Sequence, residues 1–328
     1  MSGATPASTM QIGQLAGLKM GKATRDAFGA ALKELGAEFP NVVVVDGDVG
    51  NSTRTEPFAK AFPNRAFNVG IAESNMVGVA GGLAAAGKTP VVSSFACFLI
   101  CNAFEQIRMS VAYPGLNVKM VGSHAGISIG EDGASQMGIE DVALACALPG
   151  VTVIVPSDAM CARKATRAML EHVGPVYLRC GRAEVPEIYT ADSPFQIGKA
   201  NKLRDGKDAT IIANGLMVGI ALDAAALLEK SGVKVRVLDM HTVKPLDEAA
   251  VVAAAKETGR IVVTEEHLMA GGLGSAVAAT VARTHPVPIE FVNVGDTYGE
   301  SGDPAGLLQK YGLTAEALVS AVNKVRSR

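Results

Sequence analysis

Val42-Val43-Val44-Val45-Asp46-Gly47-Asp48 reads as a strand that ends abruptly in an acidic turn containing a glycine. Four consecutive β-branched residues have no polar alternation, so both faces of this strand must be covered. The pattern around it repeats the theme. Ala23 to Phe39 has helical periodicity before it, and Ser74 to Ala86 is a helix of small residues after it. Pro90-Val91-Val92 is the next strand, and a helix over Ala103–Val111 leads to a strand at Val118–Val121. Gly122 to Gly138 is a glycine-rich loop. Val151–Val155 and Pro175–Arg179 are further strands around a helix over Ala159–Glu171. Apolar strands alternating with helices predict an α/β chain with a parallel sheet covered on both sides.

A polar stretch with several breakers, Arg182 to Gly206, interrupts the alternation, which restarts at Thr210-Ile211-Ile212-Ala213. Helices over Val218–Lys230, Val251–Glu257 and Gly274–Arg283 alternate with strands at Val233–Leu238 and Ile261–Thr264. We expect two open, largely parallel-sheet α/β domains over residues 20–191 and 192–328, after a flexible lead-in at 1–19. The 328-residue length agrees with two domains at ~150 residues each.

Composition excludes several classes of function. Lys and Arg number 30 against 32 Asp and Glu, so no basic excess favours nucleic acid. Trp is absent and aromatic residues make up 5% of the chain, too few for a base-stacking platform. The most apolar window, Thr89 to Phe104, is short and contains Ser and Asn, so a membrane span is not expected. The five cysteines lack zinc spacing and read as reduced thiols in a cytoplasmic protein. No metal site is expected within the chain.

Two motifs invite misreading. Gly82-Leu83-Ala84-Ala85-Ala86-Gly87-Lys88-Thr89 matches the phosphate-loop pattern letter for letter. That loop needs a strand before it and a helix after it, whereas here the helix comes first. Gly87 then ends a helix and Lys88 sits at the negative end of its dipole. Gly272-Leu273-Gly274 follows a strand and opens a helix, but it lacks the third glycine of a dinucleotide fingerprint. Close packing of helix on sheet accounts for it.

The chemistry concentrates in Asn68-Val69-Gly70-Ile71-Ala72-Glu73-Ser74-Asn75-Met76 and in Ser93-Ser94-Phe95-Ala96-Cys97-Phe98. Glu73 opens a helix, and two phenylalanines follow the neighbouring strand, where parallel sheets place their ligands. A carboxylate and two close aromatic rings suit a flat ring bearing nitrogen.

At these residues the sequence resembles the C-terminal half of transketolase, which uses thiamine diphosphate. The resemblance runs from about Gly21 to the end of the chain. It rests on Ala23-Thr24-Arg25, Gly47-Asp48 with Ser52, Gly70 to Met76, Phe95-x-x-Phe98 and Gly130-Glu131-Asp132-Gly133. Lys244-Pro245-Leu246-Asp247, Thr264-Glu265-Glu266-His267, Gly271 to Gly274 and Tyr311-Gly312-Leu313-Thr314 complete it in order. It implies a pyrimidine-binding domain followed by a transketolase C-terminal domain.

The resemblance also implies roles. Glu73 matches the glutamate that bonds the aminopyrimidine, while Phe95 and Phe98 match the rings that pack on it. The family's third aromatic falls on Cys101. Arg25, Ser52 and Arg179 match the site for the substrate's phosphate, where an Arg fork can bind two oxygens at once. His124, a catalytic candidate, and Asp132 match contacts to donor hydroxyls. The family's second histidine in this loop falls on Gln136, which cannot carry a proton.

The domain that holds the cofactor's diphosphate and Mg2+ (or Ca2+) is missing, and Gly47-Asp48-Val49 does not replace it. A split transketolase is therefore implied, inactive without a separate N-terminal diphosphate-binding subunit and assembled as a two-plus-two heterotetramer acting on sugar phosphates. Three alternatives share part of the pattern. The β subunit of a 2-oxo acid dehydrogenase E1 has the same plan but lacks the Arg25/Ser52/Arg179 set. A 1-deoxyxylulose-5-phosphate synthase relative keeps all domains in one chain. A non-catalytic scaffold partner would have no need of Glu73 and both phenylalanines.

Overall fold

The computed structural model describes residues 11–328. Its larger sheet has seven strands, in the order Thr242–Lys244, Thr152–Ile154, Val176–Arg179, Lys119–Ser123, Thr89–Phe95, Val42–Asp46 and Ala66–Asn68. All neighbours are parallel except the first pair. A second sheet runs Ile289–Val292, Ile261–Thr264, Ala209–Ala213, Val235–Asp239 and Asn201–Arg204, antiparallel only at the last pair. The expected α/β architecture with two largely parallel sheets is what the chain forms. Met20–Ala23 and Glu184–Pro186 add a two-stranded antiparallel ribbon.

The valine run explains itself in three dimensions. Val42 and Val44 face Phe28, Leu32, Phe58 and Met169, while Val45 faces Met76, Val77 and Val92 on the other side. Side chains alternate across a strand, so a run without polar residues supplies two cores at once. Each fully buried Val or Leu contributes about 1.5–3 kcal/mol relative to exposure. The helix Thr24–Leu35 packs with Ala159–Glu171 on the first face, and Glu73–Ala85 covers the second.

An apolar cluster runs from the larger sheet into the second half of the chain, and two lysines clamp loop carbonyls around it. The Lys119 ammonium, fully buried, donates to the carbonyls of His172 and Gly174 at 2.7 and 2.8 Å, beyond the end of helix Ala159–Glu171. Lys244 does the same at Cys146 and Leu148, at 2.9 and 2.6 Å, and so ties the second half of the chain to the first. Thr242–Lys244 comes from that second half yet pairs with the larger sheet.

Both tempting motifs are structural. Gly87 has φ +86°, Gly87 N–H donates to the Ala84 carbonyl, and Lys88 N–H donates to the Leu83 carbonyl at 3.0 Å. This closes the C-terminus of helix Glu73–Ala85, as read from the element order. At Gly272, a Cβ would collide with the Glu265 carboxylate. That carboxylate already accepts from Leu273 N–H and Gly274 N–H at 2.8 and 2.7 Å, so the helix start carries its own anion.

One expectation changes. The lead-in at 1–19 is not loose where it is described, and its first ten residues lie outside the described residues. Residues 12–17 form turns against the second half of the chain. Ile12 is buried, and the Asp223 carboxylate accepts from Gly13 N–H at 2.6 Å and Ala16 N–H at 2.9 Å. No described helix is long and apolar enough to cross a membrane.

Candidate active site

Three strand ends and two helix starts converge on the site. Phe95 ends strand Thr89–Phe95 and lies in register with Ser123, which ends the neighbouring parallel strand. The residue after Ser123, His124, therefore arrives beside Phe95. Their rings stack at a centroid separation of 3.7 Å and an angle of 15°. Phe98 lies nearly parallel to Phe95, with centroids 5.6 Å apart at 10°. The sequence spacing Phe-x-x-Phe thus produces two nearly parallel walls.

Glu73 is the first residue of helix Glu73–Ala85 and is 6% exposed. Both of its oxygens are held: Ser94 Oγ donates to Oε1 and Asn102 Nδ2 donates to Oε2, each at 3.2 Å. Asn102 reaches it because residues Phe98–Asn102 form a π-helical turn rather than the loop that precedes a helix at Ala103. Such turns often mark functional sites, since the wider turn redirects a side chain. Sequence reasoning assigns no role to Ser94 or Asn102. A polar pair closing an apolar strand at Ser93-Ser94 is the available signal for the first; none exists for the second.

His124 sits at φ +55°, a backbone strained for a non-glycine residue, and is 3% exposed. Arg25 Nη1 lies 2.7 Å from His124 Nε2, and Ser123 Oγ lies 2.8 Å from Nδ1. A guanidinium can only donate, so Nε2 must accept and the proton must reside on Nδ1, facing Ser123. Ser123 Oγ in turn donates to the Ser94 carbonyl at 3.4 Å. Burial first, then the Arg25, Arg182 and Arg54 guanidiniums, depress the His124 pKa to about 3, which agrees with a neutral ring.

Arg25 is brought in at the N-terminus of helix Thr24–Leu35. Its Nη1 also donates to the Ser52 carbonyl at 3.1 Å, so Ser52 meets Arg25 through backbone. Asp132 is exposed and lies 3.5 Å from Arg182 Nη1. Gln136 is half-buried; its side-chain oxygen accepts from the Ser135 hydroxyl and its carbonyl from the Cys97 thiol at 3.2 Å. Cys101 is exposed on the π-helical turn.

Arg179 is placed differently from the expectation. It is 6% exposed, and its Nε donates to Asp141 Oδ2 at 2.8 Å. Its Nη2 donates to the carbonyls of Gly138 and Glu266 at 2.8 and 2.9 Å. Asp141 also accepts from the Tyr177 hydroxyl at 2.5 Å. The guanidinium is spent on joining the glycine-rich loop to the second half of the chain, which leaves it no role toward a substrate anion.

Arg182, three residues on, lies on the Arg25 side of the site instead. Gly181 N–H donates to Thr24 Oγ1 at 2.8 Å, and Arg25 N–H donates back to the Gly181 carbonyl at 3.4 Å. That clasp sets Arg182 beside Arg25. Its Nη1 donates to the Ile129 carbonyl at 2.8 Å and lies 3.5 Å from Glu131 and Asp132, with 38% of the side chain exposed. The resemblance implied Arg179 and passed over Arg182; the structure buries the first in an ion pair and leaves the second partly exposed.

The comparisons with known proteins bear on this arrangement. The family profile for the transketolase pyrimidine-binding domain matches residues 20–187, and that for the transketolase C-terminal domain matches residues 198–318. The chain belongs to the transketolase family. The 6-deoxy-6-sulfo-D-fructose transketolase subunit SqwH of Clostridium sp. (strain MSTE9) is 43% identical over 93% of this chain and 94% of its own length. An apulose-4-phosphate transketolase subunit of Phocaeicola vulgatus is 38% identical over 90% of this chain and 95% of its own length. A solved structure described as a split gene transketolase, inactive beta4 tetramer, superposes with a TM-score of 0.86. It shares 48% identity and covers 94% of this chain and 99% of its own. This transketolase chain is thus of the C-terminal, split type, since the relatives it spans almost end to end are themselves separate subunits.

The pyrimidine end of thiamine diphosphate fits the residues present. A carboxylate fixed at both oxygens, beside two nearly parallel phenyl rings, matches a flat ring with a nitrogen to bond. Among the described residues no group of three His, Cys, Asp or Glu side chains is placed to hold a metal ion.

Proposed function

We propose that this chain is the C-terminal subunit of a split thiamine diphosphate-dependent transketolase. It transfers a two-carbon ketol unit from a ketose phosphate, or a sugar with a similar terminal anion, to an aldose acceptor. Activity requires a separate N-terminal subunit that holds the diphosphate and its Mg2+ or Ca2+, most simply in a two-plus-two heterotetramer in the cytoplasm. Residues 20–191 serve as the pyrimidine-binding domain and 192–328 as the C-terminal domain. The observation that carries the reading is Glu73, buried at a helix start and clamped at both oxygens beside the Phe95–Phe98 pair.

When bound, the cofactor supplies the carbanion chemistry that amino-acid side chains cannot. The chain's own residues orient and discriminate. Glu73 bonds the pyrimidine nitrogen and holds the proton at that atom, with Ser94 and Asn102 fixing its plane. Phe95 and Phe98 exclude water from one side of the ring, and Cys101 leaves that wall more open than an aromatic residue would. Arg25 and Arg182 attract the terminal anion, with Ser52 setting the Arg25 position. His124, Asp132 and Gln136 contact the sugar hydroxyls.

Glu73→Gln tests the reading in the two-subunit enzyme. Turnover should fall about 10²–10⁴-fold, the range of a lost acid–base group, while subunit assembly stays intact. Turnover at the wild-type rate would remove Glu73 from the chemistry.

A further inference from the structure

We propose that Glu266, in the second half of the chain, is a positioning residue for the donor sugar, because it holds the neck of the glycine-rich loop that carries Asp132 and Gln136. The sugar's part in this rests on the transketolase reading; the hold on the loop rests on geometry alone. The loop closes on itself where Gly126 N–H donates to the Gly138 carbonyl at 2.7 Å and Ala125 bridges Gly138. Residues 127–137 form a lobe beyond that neck.

Glu266 lies against the neck. Its Oε1 accepts from Ser128 N–H at 2.5 Å. A Cβ on Gly126 would overlap its carboxyl group, so only glycine fits there, at φ +86°. The Glu266 and Gly138 carbonyls share Arg179 Nη2, at 2.9 and 2.8 Å. The two residues that follow continue the grip: His267 Nε2 accepts from Ala143 N–H at 3.2 Å, and Leu268 N–H donates to the Ile139 carbonyl at 2.9 Å. Ser128 and Glu266 are 3% and 5% exposed, so a lost bond here leaves a buried N–H that water does not readily satisfy.

The lobe itself rests on another part of the second half. Gly302 N–H donates to the Gly130 carbonyl at 3.4 Å, and a Cβ on Gly133 would overlap the Ser301 hydroxyl. The first half contributes the Cys97 thiol, which donates to the Gln136 carbonyl at 3.2 Å, and Arg182, which donates to the Ile129 carbonyl at 2.8 Å. The second half of the chain is thus a mould for the loop, and Glu266 is the side chain that fixes its entry. Burial, only partly offset by Arg179 and the Ser128 N–H, pushes the Glu266 carboxyl above its usual value, so a neutral amide is a close mimic.

The test compares Glu266→Asp, which keeps the charge near Arg179 but draws the oxygen back from Ser128, with Glu266→Gln, which keeps the oxygen and drops the charge. Backbone hydrogen exchange, read by mass spectrometry on the full chain, reports the loop. In Glu266→Asp, peptides spanning 126–138 should exchange about tenfold faster, the order expected for one lost hydrogen bond to a charged group. In the reconstituted two-subunit enzyme, KM for the ketose phosphate should rise about tenfold, with kcat and thiamine diphosphate half-saturation within about twofold of wild type. Glu266→Gln should restore both loop exchange and KM. The reverse ranking would make Glu266 a charge partner of Arg179 and overturn the proposal. A lower melting temperature with unchanged loop exchange, or faster exchange with unchanged donor KM, would overturn it too. No transfer by the wild-type pair would sink the transketolase reading and donor positioning with it, while the exchange data would still decide whether Glu266 anchors the loop.

Discussion

Replacing Arg179 with methionine separates the two arginines that end and follow the same strand. Asp141 has no exposure, and Arg179 has 6%. Removing the guanidinium leaves the Asp141 carboxylate with the Tyr177 hydroxyl as its remaining donor, and it strips the Gly138 and Glu266 carbonyls of theirs. Breaking one side of a buried pair costs about 3–5 kcal/mol. At ~2–4 °C per kcal/mol for domains of this size, the thermal midpoint should drop by ~6–20 °C. Arg182→Met is the contrast, because its ion pairs are 3.5 Å long and its side chain is 38% exposed. Its stability change should stay within about 0.5 kcal/mol. Circular-dichroism melts read the first quantity, and phosphate binding to the folded variants reads the second. If Arg179→Met melts like the wild type and loses phosphate while Arg182→Met binds it normally, the two arginines have been assigned the wrong way round. The double variant Asp141→Asn with Arg179→Met should recover part of the loss, since it leaves no unpaired buried charge.

Other outcomes follow from single contacts. Asn102→Ala removes the donor to Glu73 Oε2, and at ~1.5 kcal/mol or more for a bond to a charged group the reconstituted enzyme should slow about tenfold or more, with little change in melting; unchanged turnover would take Asn102 out of the site. The Asp239 carboxyl is fully buried and, despite donors from Ser157 and Tyr189, is pushed up to about 7. The folded chain therefore holds its proton more tightly than the unfolded one, so its contribution to stability is complete below pH 3.8 and fades as pH rises through about 7. Asp239→Asn should flatten that loss in melts between pH 5 and 9, and identical slopes would contradict it. Glu265→Ala should cost ~1–2 kcal/mol by uncapping helix Leu273–Thr284, measured by denaturant titration; no loss would mean the carboxylate does not cap.

The layered fold was legible because its strands are apolar without interruption. Val42–Val45 could sit only between two covered faces, and the same logic placed Ile261–Thr264 in the second sheet. Short edge strands escaped notice: Asn201–Arg204 lies inside a polar stretch with breakers, and Thr242–Lys244 pairs across to the other half of the chain, a long-range choice that no local pattern encodes. At the site, Glu73, Phe95 and Phe98 were legible because a helix start and a strand end are both marked in sequence. Arg179 came from the resemblance, and its burial was not legible, since only the Asp141 partner and the Gly181–Thr24 clasp decide which of Arg179 and Arg182 is buried. Asn102 depends on a π-helical turn, which has no compositional signature.

The central claim is that this chain is one half of a split transketolase. It is tested most directly by titrating a separately expressed diphosphate-binding subunit into it, with thiamine diphosphate and Mg2+ present, while following two-carbon transfer between a ketose phosphate and an aldose. No transfer should occur before the partner is added. Activity should then climb to a plateau at one partner per chain. Transfer by the chain alone, or none at a saturating excess of the partner, would contradict the claim.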